Sequence, residues 1–227
     1  MEKFKKITAA LILCVAVPVT VIVSYFCFKN ERYDAASLII AVAATTAFVL
    51  SFEKNSSNGK LVAIIAVMTA LSVAGRFVFA PIAFFKPVTA VVIITAIYFG
   101  GEAGFITGAF SALLSNFYFG QGPWTPFQMV VWGLIGFLSG LLAKYVAKNR
   151  ITLLLWGGFS GLFYSMTMDV WTTLWSDGVF NLSRYTFFVF SSLPIMAVYA
   201  VSNVVFLLIL TKPIGKKLLR LKTKYGI

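Results

Sequence analysis

The chain is a succession of apolar runs of helical length joined by short polar connections. Eight runs can be read: 7–28, 35–52, 61–82, 88–100, 103–118, 127–147, 152–175 and 187–211. About 20 apolar residues span the hydrocarbon core of a bilayer as a helix, which satisfies its own backbone where no water can. The runs 88–100 and 103–118 are short for a span. They tilt, or join as a helical hairpin across Gly100–Gly101. Composition agrees: 60% of residues are hydrophobic and 11% charged, where a soluble domain carries about 25% charged residues. A water-soluble globule is excluded. The pattern predicts an all-α integral membrane protein with about eight transmembrane helices, seven being the other count.

Charge then sets orientation. Lys and Arg number 19 against 7 Asp and Glu, a net +12. On a soluble chain this would suggest nucleic acid; here it reads as topology, because basic residues collect in cytoplasmic connections. With eight alternating spans and both termini inside, 14 basic residues fall on the cytoplasmic side and 5 outside. Lys3, Lys5 and Lys6 before the first run resemble the start of a signal peptide. The 22-residue run and the apolar run that follows favour a retained helix. The basic stretch Lys212–Lys224 reads as an anchor on anionic lipid or as a docking tail.

Several chemistries are missing. There is no histidine, so no His-based metal site, proton relay or catalytic triad is expected, and no cofactor. Cys14 and Cys27 lie in one run, too far apart along a helix to bridge. No GxxxxGK[ST] occurs, so any ATP-driven step belongs to a partner.

The polar loop 53–60 separates a two-helix extension, 1–52, from a six-helix core, 61–211, followed by a basic tail, 212–227. The extension has no ionisable residue inside its runs. Function is expected in the core.

Within the core, Ala66, Ala70 and Ala74 recur one helical turn apart and form a smooth face. It can pack inside the chain or against a partner. Gly100, Gly104 and Gly108, then Gly133, Gly136 and Gly140, then Gly157 and Gly161 read as close helix packing. Besides Lys144 near the inner end of its run, two ionisable residues lie inside runs, Arg76 and Asp169, both in the outer half. Such residues are paired or functional: the two form an ion pair, or they line an outward-facing pocket.

The loop from Asn116 to Met129 is the most informative stretch. Gly120, Gly122, Pro123 and Pro126 set a defined turn. Tyr118, Phe119, Trp124 and Phe127 supply rigid apolar surface, and Asn116, Gln121, Thr125 and Gln128 supply uncharged hydrogen-bonding groups. An aromatic belt would explain the rings but not the Gly-Gln-Gly-Pro turn, which suits a lid or wall over a ligand. A second outer cluster contains Tyr164, Asp169 and Trp171. A third holds Phe84, Phe85, Lys86 and Pro87. Together they describe a site for a flat, largely uncharged organic ligand, not an ion filter.

On these residues the core resembles the substrate-binding S component of energy-coupling factor (ECF) vitamin transporters. The resemblance implies a six-helix vitamin-capturing protein of the bacterial cell membrane. Its implied partners are a transmembrane coupling protein, which the Ala66–Ala70–Ala74 face would contact, and two cytoplasmic ATPases. Arg76 with Lys86–Ala90, and the Asn116–Met129 loop, are similar to the branch for cobalamin or corrinoid precursors. The implied substrate-binding set is Arg76, Lys86, Asn116, Tyr118, Gln121, Gly122, Pro123, Trp124, Thr125, Gln128, Tyr164, Asp169 and Trp171. The ring end of a corrinoid would stack on Trp124 or Trp171. A self-standing secondary transporter for a small aromatic solute is the alternative, although no internal repeat is evident. A membrane-bound transferase is disfavoured by the absence of histidine and of an Asp-rich motif.

Overall fold

The computed structural model describes residues 59–226. The two-helix extension expected over 1–52 lies outside the described residues. Those described are all helical, in the order α1 (Gly59–Val78), α2 (Val88–Phe99), α3 (Gly101–Phe119), α4 (Thr125–Leu141), α5 (Ala143–Val146), α6 (Arg150–Asp177), α7 (Leu182–Ser191) and α8 (Leu193–Tyr225). By length and composition α1, α6 and α8 can each cross a membrane, and α2 and α4 are shorter apolar helices.

The sequence explains where these helices stop. α1 ends at Val78, four residues before its apolar run does. Pro81 and Pro87 deny the next turns their N–H groups, and Phe84 turns with φ 60°. Gly100, at φ 92°, separates α2 from α3, so the two short runs do form a hairpin of two distinct helices. The run 187–211 is divided at Ser192, because Pro194 in the first turn of α8 cannot continue α7. α6 opens on a capping box in which Asn149 and Thr152 satisfy each other's backbone N–H groups. The basic stretch after Thr211 is helical. α8 runs through Pro213 to Tyr225, because Leu218 and Leu221 pack onto the core.

α2 is the axis of the bundle. Its first nine residues, Val88 to Ala96, are all buried, as expected for a helix apolar on every side. α3 and α4 pack against each other antiparallel and almost backbone to backbone. A Cβ on Gly104 would stand 2.8 Å from the Gly136 carbonyl oxygen, and one on Gly101 2.7 Å from that of Phe137. α6 and α8 meet the same way, a Cβ on Gly161 lying 2.7 Å from the Ala200 nitrogen. The glycine spacing thus reports internal packing, where close approach replaces the hydrophobic effect that lipid cannot supply. Polar contacts tie the helices further. Trp156 Nε1 donates to Ser139 Oγ at 2.7 Å, and Asn203 Nδ2 to the Gly157 carbonyl at 3.0 Å. Bonds of this kind contribute about 0.6–2 kcal/mol each.

The bundle therefore has two unlike ends. One gathers the C-terminus of α1, the 79–87 loop, the α3–α4 turn and α7, and is aromatic. The other gathers the C-terminus of α4, the start of α6 and the last turns of α8, and is basic.

Candidate functional site

At the aromatic end, Arg76 projects from the last turn of α1 into the bundle. Its Nη1 donates to Asn116 Oδ1 at 2.8 Å and to Ser115 Oγ. Its guanidinium lies 4.6 Å from the Phe119 ring centre and 5.3 Å from that of Trp132. Among the described residues it has no carboxylate partner. The expected ion pair with Asp169 does not form. Asp169 instead accepts from Ser192 Oγ at 2.6 Å, at the α7–α8 junction. Neutral oxygens and ring faces hold the guanidinium without supplying a counter-charge.

Asn116 organises the polar wall. Besides accepting from Arg76, its Nδ2 donates to Thr125 Oγ1 at 2.9 Å and to Gln128 Oε1 at 2.8 Å. It is buried in the last turns of α3, and both acceptors belong to the first turns of α4. The chain between, residues 120–124, is tied by the Thr125 N–H bonding the Gly122 carbonyl at 2.9 Å. The turn therefore sets the register at which α3 and α4 share one hydrogen-bond network.

The aromatic wall stands beside it. Trp132 and Tyr164 stack at 4.9 Å with 16° between their planes, and Tyr199 meets Tyr164 edge-on at 5.1 Å. The Tyr164 hydroxyl faces Gln128 and Tyr199. Phe84, on the turn after α1, packs edge-on to Tyr199 at 5.8 Å.

Lys86 closes the third side. Its ammonium donates to the carbonyls of Phe79, Ala80 (3.1 Å) and Ile82 (2.9 Å). It caps the carbonyl groups that follow α1 and lies 5.9 Å from the Phe119 ring centre. Desolvation and, secondarily, Arg76 hold its pKa below the usual lysine range.

Of the expected site residues, Arg76, Asn116, Thr125, Gln128 and Tyr164 come together, with Lys86 adjoining. The others do not join them. Tyr118 is 72% exposed and packs on Phe77 and Phe119 at the outer surface. Gln121 folds back to donate to the Leu113 carbonyl at 2.9 Å. The Trp124 ring covers Gly122, where any Cβ would strike it, and Pro123 belongs to the same turn. Trp171 is only 4% exposed, packed between Phe127 and Trp175. It has no free face on which a ligand ring could stack. The turn residues shape the site, and the ring cluster of α6 supports it.

Trp132, Tyr199 and Ser115 are additions. Trp132 was recoverable, since it follows Gln128 by one helical turn and shares its face. Tyr199 carries no such signal, because only the packing of α8 against α6 brings it in.

Comparison with known proteins supplies one result. A family model described as ECF-type riboflavin transporter, S component, matches residues 56–220. No curated protein and no solved structure matches the chain. The match supports an S component but gives no support to the corrinoid branch suggested by the loop. It spans well over half of the 227 residues, and the chain belongs to the ECF-type riboflavin transporter S component family.

Proposed function

We propose that this chain captures riboflavin, or a close flavin relative, at its aromatic end. As an S component it is the substrate-specific subunit of an ECF transporter and not an enzyme, and the family implies a membrane partner and ATPases. The observation that carries the flavin reading is the setting of Arg76. A cation with no carboxylate partner among the described residues, framed by Phe119, Trp132 and the amides of Asn116 and Gln128, suits a flat heteroaromatic ring. Such a ring needs stacking faces, and its edge of carbonyl and ring-nitrogen acceptors needs donors. Flavin has both and is neutral, so it demands no buried acidic partner.

In this reading the aromatic end faces outward and the basic end faces the cytoplasm, as the distribution of Lys and Arg favours. Ala66, Ala70 and Ala74, all exposed on α1, form the face that meets the coupling protein. The secondary-transport alternative gains nothing from the family match.

Titration of the purified chain with riboflavin and with cobalamin tests the ligand. Saturable riboflavin binding, weakened in Arg76→Ala and absent for cobalamin, is the expected result. Cobalamin binding without riboflavin binding would return the chain to the corrinoid branch.

A further inference from the structure

At the basic end, α2, α6 and α8 enclose a cavity of about 280 Å³. Ile94, Leu153, Leu154 and Leu207 form its apolar walls, and Arg150 and Lys212 line it as well. Both cations are exposed, and neither has a hydrogen-bond or ion-pair partner among the described residues. Thr211, which also lines the cavity, has a buried hydroxyl with no partner among those residues.

The charges are unusually placed. Arg150 is the first residue of α6, and the first turn of α6 holds no acidic residue. A cation at a helix N-terminus faces the positive end of the helix dipole. Lys212 lines the same opening, so two cations border one cavity beside a positive helix end. An anion in this opening would supply both with a counter-charge. The walls beneath are apolar, and they lie one to two turns inside the ends of α2 and α6.

We propose that this cavity is a binding site for one anionic phospholipid, its phosphate between Arg150 and Lys212 and part of one acyl chain along Leu153, Leu154 and Leu207. The site differs from a diffuse basic surface because it has a defined apolar slot below the charges. It is independent of the ligand bound at the other end and of which end faces the cytoplasm. A neutral phospholipid brings its own cation and would leave both Arg150 and Lys212 without a net counter-charge. A protein segment would need an acidic residue followed by an apolar stretch.

The test uses the purified full chain in detergent. Phosphatidylglycerol and phosphatidylcholine of identical acyl chains are titrated, and bound lipid is read by native mass spectrometry. Phosphatidylglycerol is expected to bind about tenfold more tightly, since each basic residue near a headgroup favours the anionic lipid severalfold. The exposed pair Arg150→Gln and Lys212→Gln, made together, should abolish that preference and leave riboflavin titration unchanged. Leu154→Trp should lower retention of both lipids by filling the slot. Equal binding of the two lipids by the unmodified chain would overturn the proposal, as would a preference that survives the double substitution. Displacement of phosphatidylglycerol by millimolar inorganic phosphate would show a phosphate site without an acyl slot, and would overturn it too.

Discussion

The Arg76 guanidinium donates to the Asn116 side-chain oxygen at 2.8 Å, across 40 positions of sequence. This bond joins the last turn of α1 to the last turns of α3, and the other end of the Asn116 amide reaches α4 through Thr125 and Gln128. Three helices are therefore registered by one carboxamide. Asn116→Asp separates its two roles. Aspartate still accepts from Arg76 but cannot donate to Gln128, and it cancels the guanidinium charge. The variant should fold and bind riboflavin at least tenfold more weakly, measured by titration of the purified protein.

Arg76→Ala removes charge-assisted contacts together with the cation between the rings. Hydrogen bonds to charged groups are each worth about 1.5–3 kcal/mol, so riboflavin affinity should fall about 10- to 100-fold. Arg76→Lys should recover only part of it, because an ammonium cannot lie flat between Phe119 and Trp132. Full recovery by lysine would show that charge alone suffices.

Gly108 faces the backbone of Trp132. A Cβ there would stand 2.5 Å from the Trp132 carbonyl oxygen and 2.9 Å from the Gly133 nitrogen. Backbone cannot yield as a side chain does, so Gly108→Val should cost about 1–3 kcal/mol or more. The same displacement moves Trp132 off Tyr164. Thermal unfolding in detergent should show the lower stability, and titration the weaker binding.

Ala70 sits in the middle of an exposed small-residue face on α1. Ala70→Trp should leave riboflavin binding by the isolated chain unchanged and abolish co-purification with the coupling protein. If binding is lost as well, the face packs inside the chain and is no docking surface.

Lys86 carries a pH signature. Its pKa is lowered on folding, by desolvation and then by Arg76, so just below the ordinary lysine value the unfolded chain binds more protons than the folded one. Stability through this group is therefore fully present above the unfolded pKa and declines as pH falls through the folded one. As pH rises toward the ordinary lysine value of about 10.4, the melting temperature of the unmodified chain should rise relative to that of Lys86→Met. Parallel curves would show that Lys86 contributes nothing over this range. At neutral pH, Lys86→Met should loosen the 79–87 loop, because the carbonyls of Phe79, Ala80 and Ile82 lose their donor.

Much of the architecture was legible because it depends on local or compositional physics. Apolar run length announces helices that lipid requires, Pro and Gly mark their ends, and glycines at four-residue spacing mark the α3–α4 contact. The polar wall was legible too, since Asn116, Thr125 and Gln128 crowd around one turn. Sequence alone also isolated Arg76 and Asp169, because an ionisable group in an apolar run stands out.

Their partners were decided only in three dimensions. Arg76 and Asp169 looked like a pair because opposite charges in the same half of a membrane would be expected to meet. Packing instead brought Ser115 and Asn116 to the first and Ser192 to the second, because α3 faces α1 and α7 leads back onto α6. Aromatic residues behaved likewise. Trp124, Trp132 and Trp171 are equivalent as letters, yet one covers a turn, one stacks beside the cation and one is sealed in a ring cluster. Hydrophobicity and spacing determine that a side chain is buried in a helix. Which neighbour it meets depends on the relative rotation and register of helices far apart in the chain, and no local pattern encodes that.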